Sequence, residues 1–279
     1  MKASAVRLHV QESGSGPLVI LLHGFPEFSY SWRQLLPALA SAGFHAVAPD
    51  LRGYNLSDKP RGVSSYAIDE LVSDVARLIE ERGAARAAVV GHDWGGIIAW
   101  RLAMMRPDLL DRLVILNAPH PAAYRRAITR TTQLLRSWYV LVFQLPWLPE
   151  RWLAANDFAS IRGILRDGAA RAGVFTEFDI GRYVEAAARP GALTAMLNYY
   201  RAAVRRPGRT LRASARVTAP TLVIWGMRDR FLDASLADGL ERWVDDVRVE
   251  RLPEATHWVQ HDEPARVAEL IVAFLRLRR

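Results

Sequence analysis

The chain contains no cysteine, which excludes a disulfide framework, a thiolate metal site and a cysteine nucleophile together. Lysine is nearly missing too. It occurs only at Lys2 and Lys59, so the formal net charge of +8 is carried almost entirely by arginine. No apolar run approaches the roughly 18 residues of a membrane span, and the opening Met1-Lys2-Ala3-Ser4-Ala5-Val6-Arg7 lacks an apolar signal core. Cytoplasmic residence is expected, with no membrane partner. The densest arginine stretches run from Arg125-Arg126 to Arg130 and from Arg201 to Arg216. Neither comes with a nucleic-acid motif or an aromatic-interleaved basic strip, so both read as solvated faces and no nucleic acid is expected. Gly91 to Gly96 lacks the spacing of a dinucleotide-binding loop, and His92-Asp93 and Asp262-Glu263 fit no metal-ligand spacing. Neither a cofactor nor a metal is called for.

What is present is the pattern of an ordinary globular chain of 279 residues, 51% hydrophobic and 24% charged, enough for a three-layer core and one insertion. Apolar runs alternate with amphipathic segments, which argues for an α/β fold with a largely parallel sheet. Strands are expected at Arg7-Leu8-His9-Val10, Leu18 to Leu22, His45 to Ala48, Ala87 to Val90, Leu113 to Leu116, Leu222 to Trp225 and Val247 to Glu250. Ile68, Leu71, Val72, Val75, Leu78 and Ile79 recur at helical spacing before a stop at Gly83. A last helix is expected from Pro264 to about Arg278. The alternation breaks after Pro121, and residues 122–207 read as helical throughout, rich in arginine, alanine and aromatics.

One string carries chemistry. Val89-Val90-Gly91-His92-Asp93-Trp94-Gly95-Gly96 is an apolar run, then a turn of small residues bearing one reactive side chain, then glycines opening a helix. Small residues flank such a turn because a Cβ there would clash. Asp93 stands at the tip. A free aspartate, with a pKa of about 3.9, is ionised at neutral pH and needs no base to attack. A carboxylate attacks amides poorly but displaces a leaving group at a saturated carbon, giving an alkyl ester. Clearing that ester with water takes a base and an oxyanion hole, so Asp93 calls for a His–acid pair and two backbone donors elsewhere in the chain.

With its downstream motifs this string resembles the α/β-hydrolase superfamily, in its epoxide hydrolase branch, kin to haloalkane dehalogenases. The resemblance covers nearly the whole chain. It implies an α/β-hydrolase fold, a mostly parallel central sheet flanked by helices with an inserted helical cap: core at 1–121 and 208–279, cap at 122–207. His23-Gly24-Phe25-Pro26 resembles the oxyanion loop, in which the backbone N–H of Phe25 would act with that of Trp94, and the Phe25–Pro26 bond is expected to be cis. Trp225-Gly226-Met227-Arg228-Asp229 places the charge-relay acid at Asp229, with Asp233 and Asp238 as alternatives. His257, in Ala255-Thr256-His257-Trp258, takes the place of the base. Its rival His261 is assigned to local capping before the final helix, and His92 to the core. Asn198-Tyr199-Tyr200-Arg201 resembles the family's Asn-Trp-Tyr-Arg and points to Tyr200 as a proton donor. Trp138 to Pro146 resembles Tyr-x-x-x-Phe-Gln-x-Pro and points likewise to Tyr139, although both tyrosines also read as cap packing.

The substrate pocket is expected to involve Trp94, Phe25, Tyr199, Phe143 and Trp258, with Trp147, Phe175 and Phe178 as further cap aromatics. Asp50-Leu51-Arg52-Gly53-Tyr54 and Ser57-Asp58-Lys59-Pro60 are assigned to loop structure near the site. The implied reaction is hydrolysis of a small-molecule epoxide by water to a vicinal diol. A dehalogenase is the enzymatic rival. Trp94 could supply one halide donor, but Phe25 has no side-chain donor, so Trp138, Trp147 or Trp152 would have to serve. Haloacetate dehalogenases carry arginine where Trp94 stands. A non-catalytic ligand-binding member of the fold is the third reading. The sequence sets no oligomeric state, and a homodimer is compatible with it.

Overall fold

Strands buried on both faces read as continuous runs of Val, Ile, Leu and Ala, and Leu18–Leu22 is the plainest case, with all five residues buried. The computed structural model describes residues 6–129, 131–206 and 215–277. Arg130, Arg209, Arg212, Arg278 and most of the expected cap boundary at 207–208 onward therefore lie outside the described residues.

Among the described residues seven strands form one sheet: β1 Val10–Ser13, β2 Leu18–Leu22, β3 His45–Pro49, β4 Ala87–His92, β5 Leu110–Leu116, β6 Thr221–Gly226 and β7 Val247–Leu252. Their order is β1-β3-β2-β4-β5-β6-β7. Every neighbouring pair is parallel except β1 with β3. The first strand begins at Val10 rather than spanning Arg7 to Val10. Residues 7–9 are drawn instead to the loop after β3, where the Arg7 and His9 amides donate to Asp58 and Ser57. Alternation of side chains divides the core. Ile20, Leu22, Val47 and Val89 face one layer, and Val19, Leu21, Ala46 and Val90 the other.

Helices α1 Leu35–Ser41, α2 Ile68–Glu81 and α3 Trp94–Met105 flank the sheet, as do α10 Val259–Asp262 and α11 Pro264–Arg276 near the C-terminus. Helix α2 buries the expected stripe and stops at Gly83, whose φ of +68° suits glycine. Between β5 and β6 there is no strand among the described residues. Six helices are described in the interval: α4 Pro121–Ala127, α5 Thr131–Arg136, α6 Trp138–Val142, α7 Leu148–Arg166, α8 Glu177–Ala188 and α9 Ala192–Arg205. No helix of the described residues is long and apolar enough to cross a membrane.

This topology decides where a site can form. Parallel strands all end at one edge, and ligands bind outside their carboxyl ends where the strand order reverses. The chain runs from β2 outward to β3, then returns to the other side of β2 as β4. The crevice therefore lies between His23-Gly24-Phe25, after β2, and Asp93, after β4.

Candidate active site

Asp93 has φ +49° and ψ −118°, a conformation that non-glycine residues rarely adopt and that stores on the order of 1–3 kcal/mol. Its surroundings hold it there. A Cβ on Gly95 would lie 2.1 Å from the Leu22 carbonyl oxygen, and one on Gly96 2.3 Å from the Ala118 Cβ. Gly24 is constrained from the other side, since its Cβ would lie 2.4 Å from that of Asp93. Gly24 and Gly95 are thus consequences of one close approach between the loops after β2 and β4, and Gly96 of the approach of α3 to the loop after β5. The Phe25–Pro26 bond is cis, as expected. The Phe25 amide donates to Asp93 Oδ1 at 2.9 Å, and the Trp94 amide follows the aspartate directly at the start of α3.

His257 Nε2 lies 3.7 Å from Asp93 Oδ2, and its Nδ1 is 2.7 Å from Asp229 Oδ2. Asp229 is buried, and its other oxygen accepts the Phe231 and Leu232 amides at 2.7 and 2.9 Å. The alternatives are engaged elsewhere: Asp233 Oδ1 accepts the Ser235 amide, and Asp238 pairs with Arg251. Burial alone would lower the pKa of His257. The Asp229 charge and hydrogen bond outweigh it, with Asp93 and Glu27 adding to them, and raise it to about 9. Burial opposes the charge of Asp229 in the same way, and His257 and Asn117 hold its carboxyl below the ordinary value.

The direction of the His257 shift has a testable consequence. Neutralising Asp93 removes a negative charge 3.7 Å from Nε2 and must lower the histidine's pKa. His257 is therefore expected to titrate near 9 in the wild type and distinctly lower in Asp93→Asn, read by NMR of the imidazole resonances. Because the folded value is raised, the stability it contributes is complete below about 6.5 and is lost as pH rises through about 9.

Two cavities, of about 320 and 360 Å³, meet at Asp93, Tyr139 and Tyr200. The first is lined by aliphatic and proline side chains such as Pro119, Pro121, Ile128 and Leu134. The second is lined by Phe25, Phe143, Trp152, Phe231, His257 and Trp258 among others. Tyr139, on α6, and Tyr200, on α9, stand edge to face with ring centroids 6.0 Å apart. Burial and the nearby Asp93 charge push both phenols well above 10, so they remain neutral donors at physiological pH. The structure thus brings together Asp93, His257, Asp229, Tyr139, Tyr200 and Phe25.

Other expectations need correction. Tyr199 lines neither cavity: it is buried beneath Trp94, and its hydroxyl donates to the Arg52 carbonyl at 2.7 Å. The helical turn that aims Tyr200 at the cavities sends its neighbour toward the sheet-side core. Trp147 and Phe178 point to solvent, and Phe175 packs on Trp258 and His261. His261 is not a cap. It is buried, with Nε2 2.6 Å from Glu27 Oε1, because its position on the single turn of α10 faces inward.

Two further groups support the site. Asn117, at the end of β5, donates to Asp229 Oδ2 at 2.7 Å and accepts the Gly226 amide at 2.8 Å. Its φ of +37° is the only local oddity, and asparagine tolerates that conformation. Asn117→Ala is expected to lower kcat by about 10- to 100-fold, the cost of one buried hydrogen bond to a charge, with KM little changed in steady-state assays. Behind the histidine, His92 bridges Glu27 and the carbonyl of His257, at 2.9 Å to each. The residue before Asp93 thereby fixes the loop that carries His257. Burial works against a charge on Glu27, but His261 and His92 hold it below the usual carboxylate range.

Strand edge, elbow and buried His–Asp pair together describe a hydrolase of the α/β class. The family model for the alpha/beta hydrolase fold matches residues 17–264. The AB hydrolase superfamily protein YfhM of Bacillus subtilis (strain 168) is 43% identical over 99% of this chain and 96% of its own length. Human Epoxide hydrolase 4 is 37% identical over 99% of this chain and 77% of its own length. The crystal structure of Bacillus megaterium epoxide hydrolase in complex with an inhibitor superposes with a TM-score of 0.90 at 34% identity, covering 98% of both chains. The chain belongs to the α/β-hydrolase fold family, in its epoxide hydrolase branch.

Proposed function

We propose that this protein hydrolyses epoxides to vicinal diols through an ester on Asp93. The observation that carries this reading is the convergence of two neutral phenols, Tyr139 and Tyr200, on the cavities that hold the Asp93 carboxylate. An epoxide oxygen is a poor leaving group until it receives a proton, and a neutral phenol can give one without a metal or cofactor. Phe25 N–H holds Asp93 Oδ1, which leaves Oδ2 to attack a ring carbon. That attack forms the Oδ2–C bond and breaks the ring C–O bond, whose oxygen takes a proton from a tyrosine.

The ester then lies beside His257. With the Asp93 charge gone, the imidazolium gives up its proton more readily, which restores the one the tyrosine lost. The neutral imidazole then takes a proton from water as that water adds to the ester carbonyl carbon. Oδ1 becomes the oxyanion, held by the Phe25 and Trp94 amides. Collapse breaks the bond between that carbon and Oδ2, which takes the imidazolium proton; the diol leaves carrying Oδ2, and the proton on the new Asp93 carboxyl returns to His257. The water oxygen stays in Asp93. Asp229 orients and stabilises the imidazolium in both steps. Cytoplasmic residence fits this scheme, as it uses no partner beyond substrate and water.

The discriminating experiment is Tyr200→Phe assayed on styrene oxide and 1-bromobutane. Loss of one proton donor is expected to slow diol formation by about 10²-fold or more. Bromide release exceeding diol formation in the wild type would instead favour the dehalogenase reading.

A further inference from the structure

The apolar surface of the protein is strongly uneven. Of the fourteen exposed large hydrophobic residues among the described ones, eight fall between Leu134 and Trp152, three of them tryptophan. Trp147 is 63% exposed, Leu141 64% and Leu135 66%. Soluble proteins rarely leave so many large apolar side chains together in water, and such patches mark interaction surfaces. This one is continuous with the cavities: Leu134 and Leu141 line the first, Leu135, Trp138 and Trp152 the second.

Charge narrows the choice of partner. Residues 122–152 hold five arginines against one acid, Glu150, and Glu150 is already paired with Arg201. Arg205 and Arg206 close α9, both exposed. Arg205 directly follows Val204 of the first cavity, while Arg230 lines the second together with Arg136, which pairs with Asp233. A second copy docking the same face would set arginine against arginine. An anionic lipid surface meets both features, because tryptophan and leucine enter the headgroup boundary while arginines engage the lipid charge.

We propose that helices α5 to α7 form a face that docks on anionic lipid bilayers and turns the cavity mouths toward the membrane. This departs from the expectation of no membrane partner, which rested on the absence of a spanning segment and signal core. Interfacial binding requires neither. It is independent of the chemistry at Asp93, so failure of one leaves the other standing.

The test is co-sedimentation of the full chain with vesicles of phosphatidylcholine alone or mixed with phosphatidylglycerol. Binding is expected only with phosphatidylglycerol present, weakened by salt, with a blue shift of tryptophan fluorescence. Two double variants outside the cavity linings check its origin: Trp147→Asn with Leu148→Ser, and Arg151→Glu with Arg205→Glu. Each should bind about tenfold or more weakly, with melting temperature and styrene oxide turnover unchanged. Protein remaining in the supernatant, or both variants binding as the wild type does, would overturn the proposal. So would a dimer in sedimentation velocity that Trp147→Asn with Leu148→Ser dissolves, since the face would then join two copies.

Discussion

Asp93→Ala is expected to abolish diol formation, lowering turnover by on the order of 10⁴-fold or more. The substitution removes the attacking oxygen and nothing replaces it: Asp229 is buried and committed to His257, Asn117 and two backbone amides. Glu27 lies behind the site, bound to His92 and His261. Among the described residues no other carboxylate lines either cavity. A chromatographic diol assay with styrene oxide checks the result. Retention of more than a small fraction of wild-type turnover would remove Asp93 from its assigned role.

His257→Gln is expected to separate the two halves of the reaction. The first needs the Asp93 carboxylate and the tyrosines, neither of which the substitution touches. The second needs a base beside the ester, and His257 Nε2 is the group placed 3.7 Å from Asp93 Oδ2. Steady-state turnover should fall by on the order of 10⁴-fold, while intact mass after epoxide treatment should rise by the mass of one substrate. Peptide mapping should place that mass on Asp93. An adduct on another residue, or no adduct with turnover lost, would contradict the assignment.

How far the sequence alone revealed this site depended on whether a residue's role is local. Asp93, His257 and Asp229 each sit in a turn directly after a strand, where sequence spacing fixes position. Tyr139 and Tyr200 were readable from short strings, although α6 is only Trp138–Val142. The string alone does not place Tyr199, because adjacent helical residues point about 100° apart and only packing decides which of the two enters the cavity. Asn117 escaped notice because its partners are Gly226 and Asp229, more than a hundred residues away, and no motif surrounds it. His261 is hidden for the same reason: its partner Glu27 comes from the other end of the chain. The first strand slipped because Gln11, Glu12 and Ser13 show no apolar alternation, yet they pair with the apolar β3 at the sheet edge.

A covalent ester on Asp93, opened by water at its carbonyl carbon, leaves an isotopic signature in the enzyme. A single turnover of excess enzyme on styrene oxide in ¹⁸O-labelled water should leave the label in the Asp93 peptide and release an unlabelled diol. Label in the first-turnover diol, with the Asp93 peptide unchanged, would mean that water attacks the epoxide itself and that no ester forms.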